Sequence, residues 1–275
     1  MSSTLLPAPE LDLKALMALP ESEWPDVSHL VIEDDTPVDN LMQEAQRRLL
    51  VEPLTTSWNP GVPFVAVSDV GVFDSLKQTT ISPDMLLAMN VRKPTDQTKK
   101  HNRSYFVWVF GKVPDLVVEI VSNNEGGEGD VKVQKYATLG VQYYVIFDPH
   151  GYLSDDRLTI YELHGARYRR RKDHQLPGVK LQAVLWEGEY EGLTEQWLRW
   201  ATPEGTLIPR GIETAEQERK LKVQERKLKV QESDRADRAE QLAKQERERA
   251  EKAEQHAKLL AEQLRKLGIK DIEAQ

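Results

Sequence analysis

The 275-residue chain predicts an α/β body followed by one long charged helix. Three observations carry that expectation. Short runs rich in Val, Ile, Phe and Tyr, separated by turn residues, recur between residues 62 and 171. Stretches of helical period precede and interrupt them at residues 37–54 and 130–139. After Pro209-Arg210-Gly211 the composition turns to Glu, Gln, Lys, Arg and Ala, with no Gly or Pro until Gly268.

Residues 1–36 are Pro-rich and acidic (LPAPE, LPESEWPD, EDDTP), the pattern of an extended arm laid over a domain edge. Thr36-Pro37 signals a helix start, and Leu41, Ala45, Leu49 and Leu50 in PVDNLMQEAQRRLLVEPL recur at helical spacing until Pro53, which is expected to stop it. The period then becomes two: VPFVAVSDVGVFD, the stretch 80–90, SYFVWVF, DLVVEIVS, QYYVIFD, RLTIYEL and ARYRRR all read as strands. A short helix over 130–139 interrupts them, with Gly140 where a C-terminal cap belongs. LTEQWLRWA, residues 193–201, reads as the last helix of the body. The divisions are an arm at 1–36, a body at 37–211 and a tail at 212–275.

The tail opens with a literal heptad duplication, ERKLKVQ-ERKLKVQ, and ends with Ala250, Ala253, Ala257, Leu260, Leu264 and Leu267 in an a/d frame. Leu221 and Leu228 fall outside that frame. Two readings stand: a solvated helix laced with i,i+4 ion pairs, or a coiled coil that pairs with a second copy.

Composition excludes several kinds of chemistry. No cysteine means no disulfide, no thiolate metal site and no Cys nucleophile. His29, His101, His150, His164, His174 and His256 are scattered without metal-ligand spacing, which argues against zinc. A net charge of −8 argues against a general basic coat for nucleic acid, so a polyanion must be met by a local patch. ARYRRRKDH, and Lys99, Lys100 and Arg103, are the patches on offer; charge protecting an edge strand is the competing account. With no long apolar run and no basic, apolar leader in MSSTLLPAPELDLK, the expected location is the cytoplasm, with no membrane partner.

Glu119 interrupts the apolar strand DLVVEIVS. A buried carboxylate needs a cation, a metal or several hydrogen bonds, because uncompensated burial is too costly. Asp84, in ISPDMLLAMN, and Glu44, on the first helix, are the candidate companions. Acids brought together call for a cation, and oxygen ligands without Cys or clustered His point to Mg2+ or Mn2+. Lys132 lies in the first turn of its helix, where a positive charge opposes the helix dipole, so a compensating role is expected; Gln134 is a weaker polar candidate. Against these stand plainer accounts: Asp84 as a turn residue, Glu119 in a structural ion pair, Glu44 paired with Arg47 or Arg48, and Tyr136, Tyr143 and Tyr144 as core. SNNEGGEGD lacks the ending of a nucleotide-binding loop and reads as slack before the helix.

"SPD" at 82–84, "PDLVVEIVS" at 114–122, and Lys132 four residues before Tyr136 in "YATLGVQYYVIFDP" resemble the Uma-two family of restriction endonucleases, within the PD-(D/E)XK nuclease superfamily, over about residues 25–185. The resemblance implies a restriction-endonuclease-like mixed β-sheet flanked by helices, and Mg2+-dependent phosphodiester hydrolysis on DNA. Carried over, Asp84 matches the motif Asp, Glu119 the second acid, and Glu44 the acid often supplied by the first helix. Metal would be held by Asp84, Glu119 and the Ile120 carbonyl. The chain departs from the superfamily pattern at Val121, where a lysine is usual; the resemblance implies that Lys132 has taken that role. It also implies a homodimer through the body, while the heptads offer the tail as the other route to one. The alternative is a catalytically inactive nuclease-like interaction module assembled through its C-terminal helix.

Overall fold

The computed structural model describes residues 12–30, 40–77, 81–122 and 131–266. A body through Thr214 and a segment from Ala215 onward form separate compact units. In chain order the body holds α1 (Leu13–Ala18), α2 (Leu41–Thr56), β1 (Phe64–Ser68), β2 (Val72–Phe73), β3 (Met85–Met89), β4 (Tyr105–Phe106), α3 (Val107–Phe110), β5 (Leu116–Ile120) and α4 (Val131–Leu139). There follow β6 (Tyr143–Phe147), β7 (Leu158–His164), β8 (Arg167–Arg170), β9 (Gln175–Leu176), β10 (Leu181–Tyr190) and β11 (Leu193–Ala201), and then α5 (Gly211–Lys266).

The centre is a six-stranded mixed sheet ordered β1-β3-β5-β6-β7-β8. Its neighbours run antiparallel except β5 and β6, which are parallel and joined through α4. A parallel pair needs a crossover of this kind, and it returns α4 over the sheet. β3, β5 and β6 are buried along their whole lengths, which explains their nearly unbroken apolar sequences. Alternation sorts them by face. Leu116, Val118 and Ile120 join one core with Leu50 and Leu54 of α2, while Val117 and Val121 join the other with Tyr136 of α4. Each such side chain, fully withdrawn from water, contributes about 1.5–3 kcal/mol.

A second sheet, β11-β10-β9, packs against α2. Gln46 on α2 donates to the Leu198 carbonyl and accepts from the Leu198 N–H, both at 2.9 Å, while the Trp200 indole donates to the Leu50 carbonyl. These bonds fix the axial position of α2 on β11. They therefore decide where its first turns meet the end of the central sheet.

Several expectations change. LTEQWLRWA is not a helix but β11: Tyr190 pairs with Leu193 across Glu191 (φ 50°) and Gly192 (φ 79°), a two-residue hairpin turn with both centres left-handed. Ladder pairing with β10 overrides the helical spacing of Leu193, Trp197 and Trp200. Pro53 does not stop α2, which continues to Thr56 with Pro53 and Leu54 buried. SYFVWVF is a strand only at β4; α3 follows and ends at Gly111 (φ 73°), dividing Val107 and Trp108 between two cores. Within the supposed extended arm, residues 12–30 hold α1 and a 3-10 turn, and Leu16, Val27 and Leu30 are buried. Residues 1–11, 31–39, 78–80, 123–130 and 267–275 lie outside the described residues, and with them the Thr36-Pro37 start, residue 80 of the stretch 80–90, most of SNNEGGEGD, and Leu267 of the a/d frame.

α5 runs unbroken for 56 residues and buries none of them. Glu218–Lys222, Glu225–Lys229, Glu254–Lys258 and Glu262–Lys266 are i,i+4 ion pairs with Glu on the N-terminal side, the favourable order. Among the described residues no helix is long and apolar enough to cross a membrane.

Candidate active site at the ends of β3 and β5

Asp84 immediately precedes β3, and Glu119 lies near the C-terminal end of β5. Met85 pairs with Val118, so Asp84 faces Glu119 one step beyond the last ladder pair. Both are withdrawn from water, at 8% and 2% exposure. Two helices complete the site, each through an i,i+4 pair whose members share a helix face.

From α4, the Lys132 ammonium donates to Glu119 Oε2 at 2.9 Å and the Tyr136 hydroxyl donates to Oε1 at 2.6 Å. From α2, Gln43 Nε2 and Arg47 Nη1 each approach Asp84 Oδ1 at 3.3 Å. Gln43 Nε2 also lies 3.3 Å from the Ile120 carbonyl. Asp84 Oδ2 accepts the Ile120 N–H at 2.7 Å, which binds the two strand ends together. Asn40 caps α2 by accepting the Gln43 N–H at 2.8 Å, setting the turn from which Gln43 reaches out.

Burial pushes the Glu119 carboxyl up to about 7; Lys132 pulls against that rise and the Asp84 charge adds to it. Asp84 is likewise raised by desolvation, opposed first by the Ile120 N–H and then by the Arg47 and Lys132 charges. A third buried acid, Asp148, takes no part, since it accepts the N–H groups of Tyr152 and Leu153 in its own turn.

Asp84, Glu119, Lys132 and the Ile120 carbonyl thus come together as expected. Glu44 does not join them; it pairs with Arg48 at 2.7 Å on an exposed part of α2. Val121 is core, as its side chain dictates. Sequence reasoning missed Arg47 and Gln43 as site residues, although their i,i+4 spacing on the first helix was visible. Tyr136 is core by packing and also a hydrogen-bond donor to Glu119, a double role announced only by its spacing from Lys132.

The basic stretches are largely engaged locally. Lys99 pairs with Glu21, Lys100 donates to the Ser28 carbonyl, and Arg103 to the carbonyls of Gln97 and Thr98. Arg170 pairs with Asp156, and Arg171 with Glu162 and Asp173. Lys172 and His174 are exposed in a recess beside them.

A cation would meet only oxygen donors here. They are the two carboxylates and the Ile120 carbonyl; Gln43 turns its Nε2 toward them, and its Oε1 is buried without a hydrogen-bond partner among the described residues. That set fits a hard divalent ion such as Mg2+ or Mn2+. Among the described residues no group of three or more His, Cys, Asp or Glu gathers into a metal cluster, so an ion held here would draw on the neutral Ile120 oxygen beside the acids.

The sequence profile of Uma2, described as a putative restriction endonuclease, matches residues 31–187, more than half of the chain. The chain belongs to the Uma2 family. All of the residues just described at the site fall inside the Uma2 match. A crystal structure of a putative nuclease belonging to DUF820 from Anabaena variabilis is also similar, at 16% identity and a TM-score of 0.36, covering 62% of this chain and 90% of that one. No curated protein matches.

Proposed function

We propose that this Uma2 protein is a divalent-cation-dependent endonuclease that hydrolyses phosphodiester bonds in DNA. What supports the reading is one convergence: Asp84 and Glu119 opposed at the ends of adjacent strands, with the Lys132 ammonium 2.9 Å from Glu119. Asp84, Glu119 and the Ile120 carbonyl would hold Mg2+ or Mn2+. When bound, the ion would polarise the scissile phosphate and lower the pKa of a water. Tyr136 holds one Glu119 oxygen and so fixes the rotation of that carboxylate. The Lys132 side chain is 26% exposed while Glu119 is buried, so it extends from the acid toward solvent. There it orients the attacking water and stabilises charge that develops on the phosphate. The family description supports DNA as the substrate.

Because a ligand specific for the native state stabilises it, by about 2.7 kcal/mol at a hundredfold excess over Kd, the test is thermal. Millimolar Mn2+ is expected to raise the Tm of the wild type but not of Asp84→Ala or Glu119→Ala. Lys132→Ala is expected to keep the Mn2+ shift and lose DNA cleavage. A wild-type Tm unmoved by Mn2+ would favour the second reading, an interaction module without turnover. One observation speaks for that module: the Arg47 guanidinium already places a fixed cation beside Asp84. Self-association through residues 212–275 is compatible with either reading. It predicts that removing them lowers the mass found by light scattering to that of a monomer.

A further inference from the structure

We propose that Gln43 is an oxygen donor of the cation site, and that its side-chain amide turns over when a divalent ion binds. The inference rests on the cation-dependent reading above and extends it to a residue on α2. Gln43 is 3% exposed. Its Nε2 lies 3.3 Å from Asp84 Oδ1 and 3.3 Å from the Ile120 carbonyl, bridging two of the oxygens that would hold the ion. An N–H2 group is the end of the amide that belongs there without a cation, because both neighbours are acceptors. Two features mark the arrangement as exchangeable. Both contacts are at the long end of the hydrogen-bond range, and Oε1 is buried with no hydrogen-bond partner among the described residues.

A half-turn about the last side-chain torsion, which is broad and nearly two-fold, exchanges nitrogen for oxygen in the same space. With no cation, the carbonyl oxygen would then face Asp84 Oδ1 and the Ile120 oxygen and be repelled by both. With a divalent ion between them, the same oxygen becomes a further hard ligand, and the buried acceptor gains its partner. Asp84 Oδ2 stays on the Ile120 N–H throughout, so the strand ends need not move. Gln43 therefore sits on the helix expected to supply an acid, on a different face from the exposed Glu44–Arg48 pair.

The test is Mn2+ titration calorimetry of full-length wild type, Gln43→Leu and Gln43→Glu, with Mg2+ titration followed on the side-chain amide resonances of 15N-labelled wild type. Gln43→Leu should weaken Mn2+ binding about five- to tenfold, and Gln43→Glu should tighten it by at least tenfold. The Gln43 amide resonances should shift progressively and level off as Mg2+ saturates the wild type. Wild-type affinity or better in Gln43→Leu would overturn the proposal and leave Gln43 a structural bridge. If Gln43→Leu does not fold, amide resonances that stay fixed while wild type saturates with Mg2+ would overturn it equally. A wild type that binds neither ion overturns the cation-dependent reading itself, and this inference with it.

Discussion

Glu119 carries a marked electrostatic signature, and its sign can be worked out. Its folded carboxyl lies at about 7 against an ordinary 4.5. Below about pH 4.5 folded and unfolded chains both hold the proton. Between there and about 7 only the folded chain does. The stability from this group is therefore fully present below 4.5 and is lost as pH rises through 7, on the order of 3 kcal/mol in all. Denaturant titrations without divalent cation, compared between wild type and Glu119→Gln, should show that slope in the wild type and its loss in the variant; parallel curves would contradict it. Tyr136→Phe removes the hydroxyl from Glu119 Oε1 and leaves a buried acceptor short of a partner, at a cost of about 1–3 kcal/mol by the same titration.

At the scale of elements, the hairpin of β10 and β11 depends on a turn with both central residues left-handed. A Cβ on Gly192 would meet nothing within 4 Å, so Gly192→Ala tests backbone strain alone. It should cost about 1–2 kcal/mol of stability, read from the shift in denaturant midpoint. The hairpin matters to the site because β11 holds α2 through Gln46 and Leu198, and α2 holds Asp84. Asn40→Ala, which removes the α2 cap, should cost about 1 kcal/mol. It should also weaken Mn2+ binding in the same calorimetric experiment, because Gln43 is the residue whose N–H the cap receives.

For the molecule as a whole, body and tail obey different physics. The body owes its stability to cores on both faces of the sheet, whereas α5 buries no residue and is supported along its length by exposed Glu–Lys pairs. Each such pair contributes only about 0.2–0.5 kcal/mol and is screened by salt. A chain ending at Thr214 should therefore unfold within a few degrees of the full-length protein by calorimetry, and a large loss of Tm would show that α5 supports the body.

Much of this was legible in the residues. Glu119 announced itself because a carboxylate inside an apolar run must be compensated, a rule that needs no coordinates. Lys132 and Tyr136 stand four residues apart in the sequence, a spacing that puts both on one face of α4. The 56-residue α5 follows from a composition free of Gly and Pro beyond its first residue, Gly211. What only the tertiary structure decided are the encounters between distant segments. Arg47 and Gln43, rather than Glu44, meet Asp84 because the seating of α2 on β11 selects which helix face reaches the strand ends. LTEQWLRWA became a strand because β10 lay beside it with open hydrogen bonds. Local period reports which side of an element is apolar; it carries no record of which partner will lie against that side, and that partner chose both the ladder and the site.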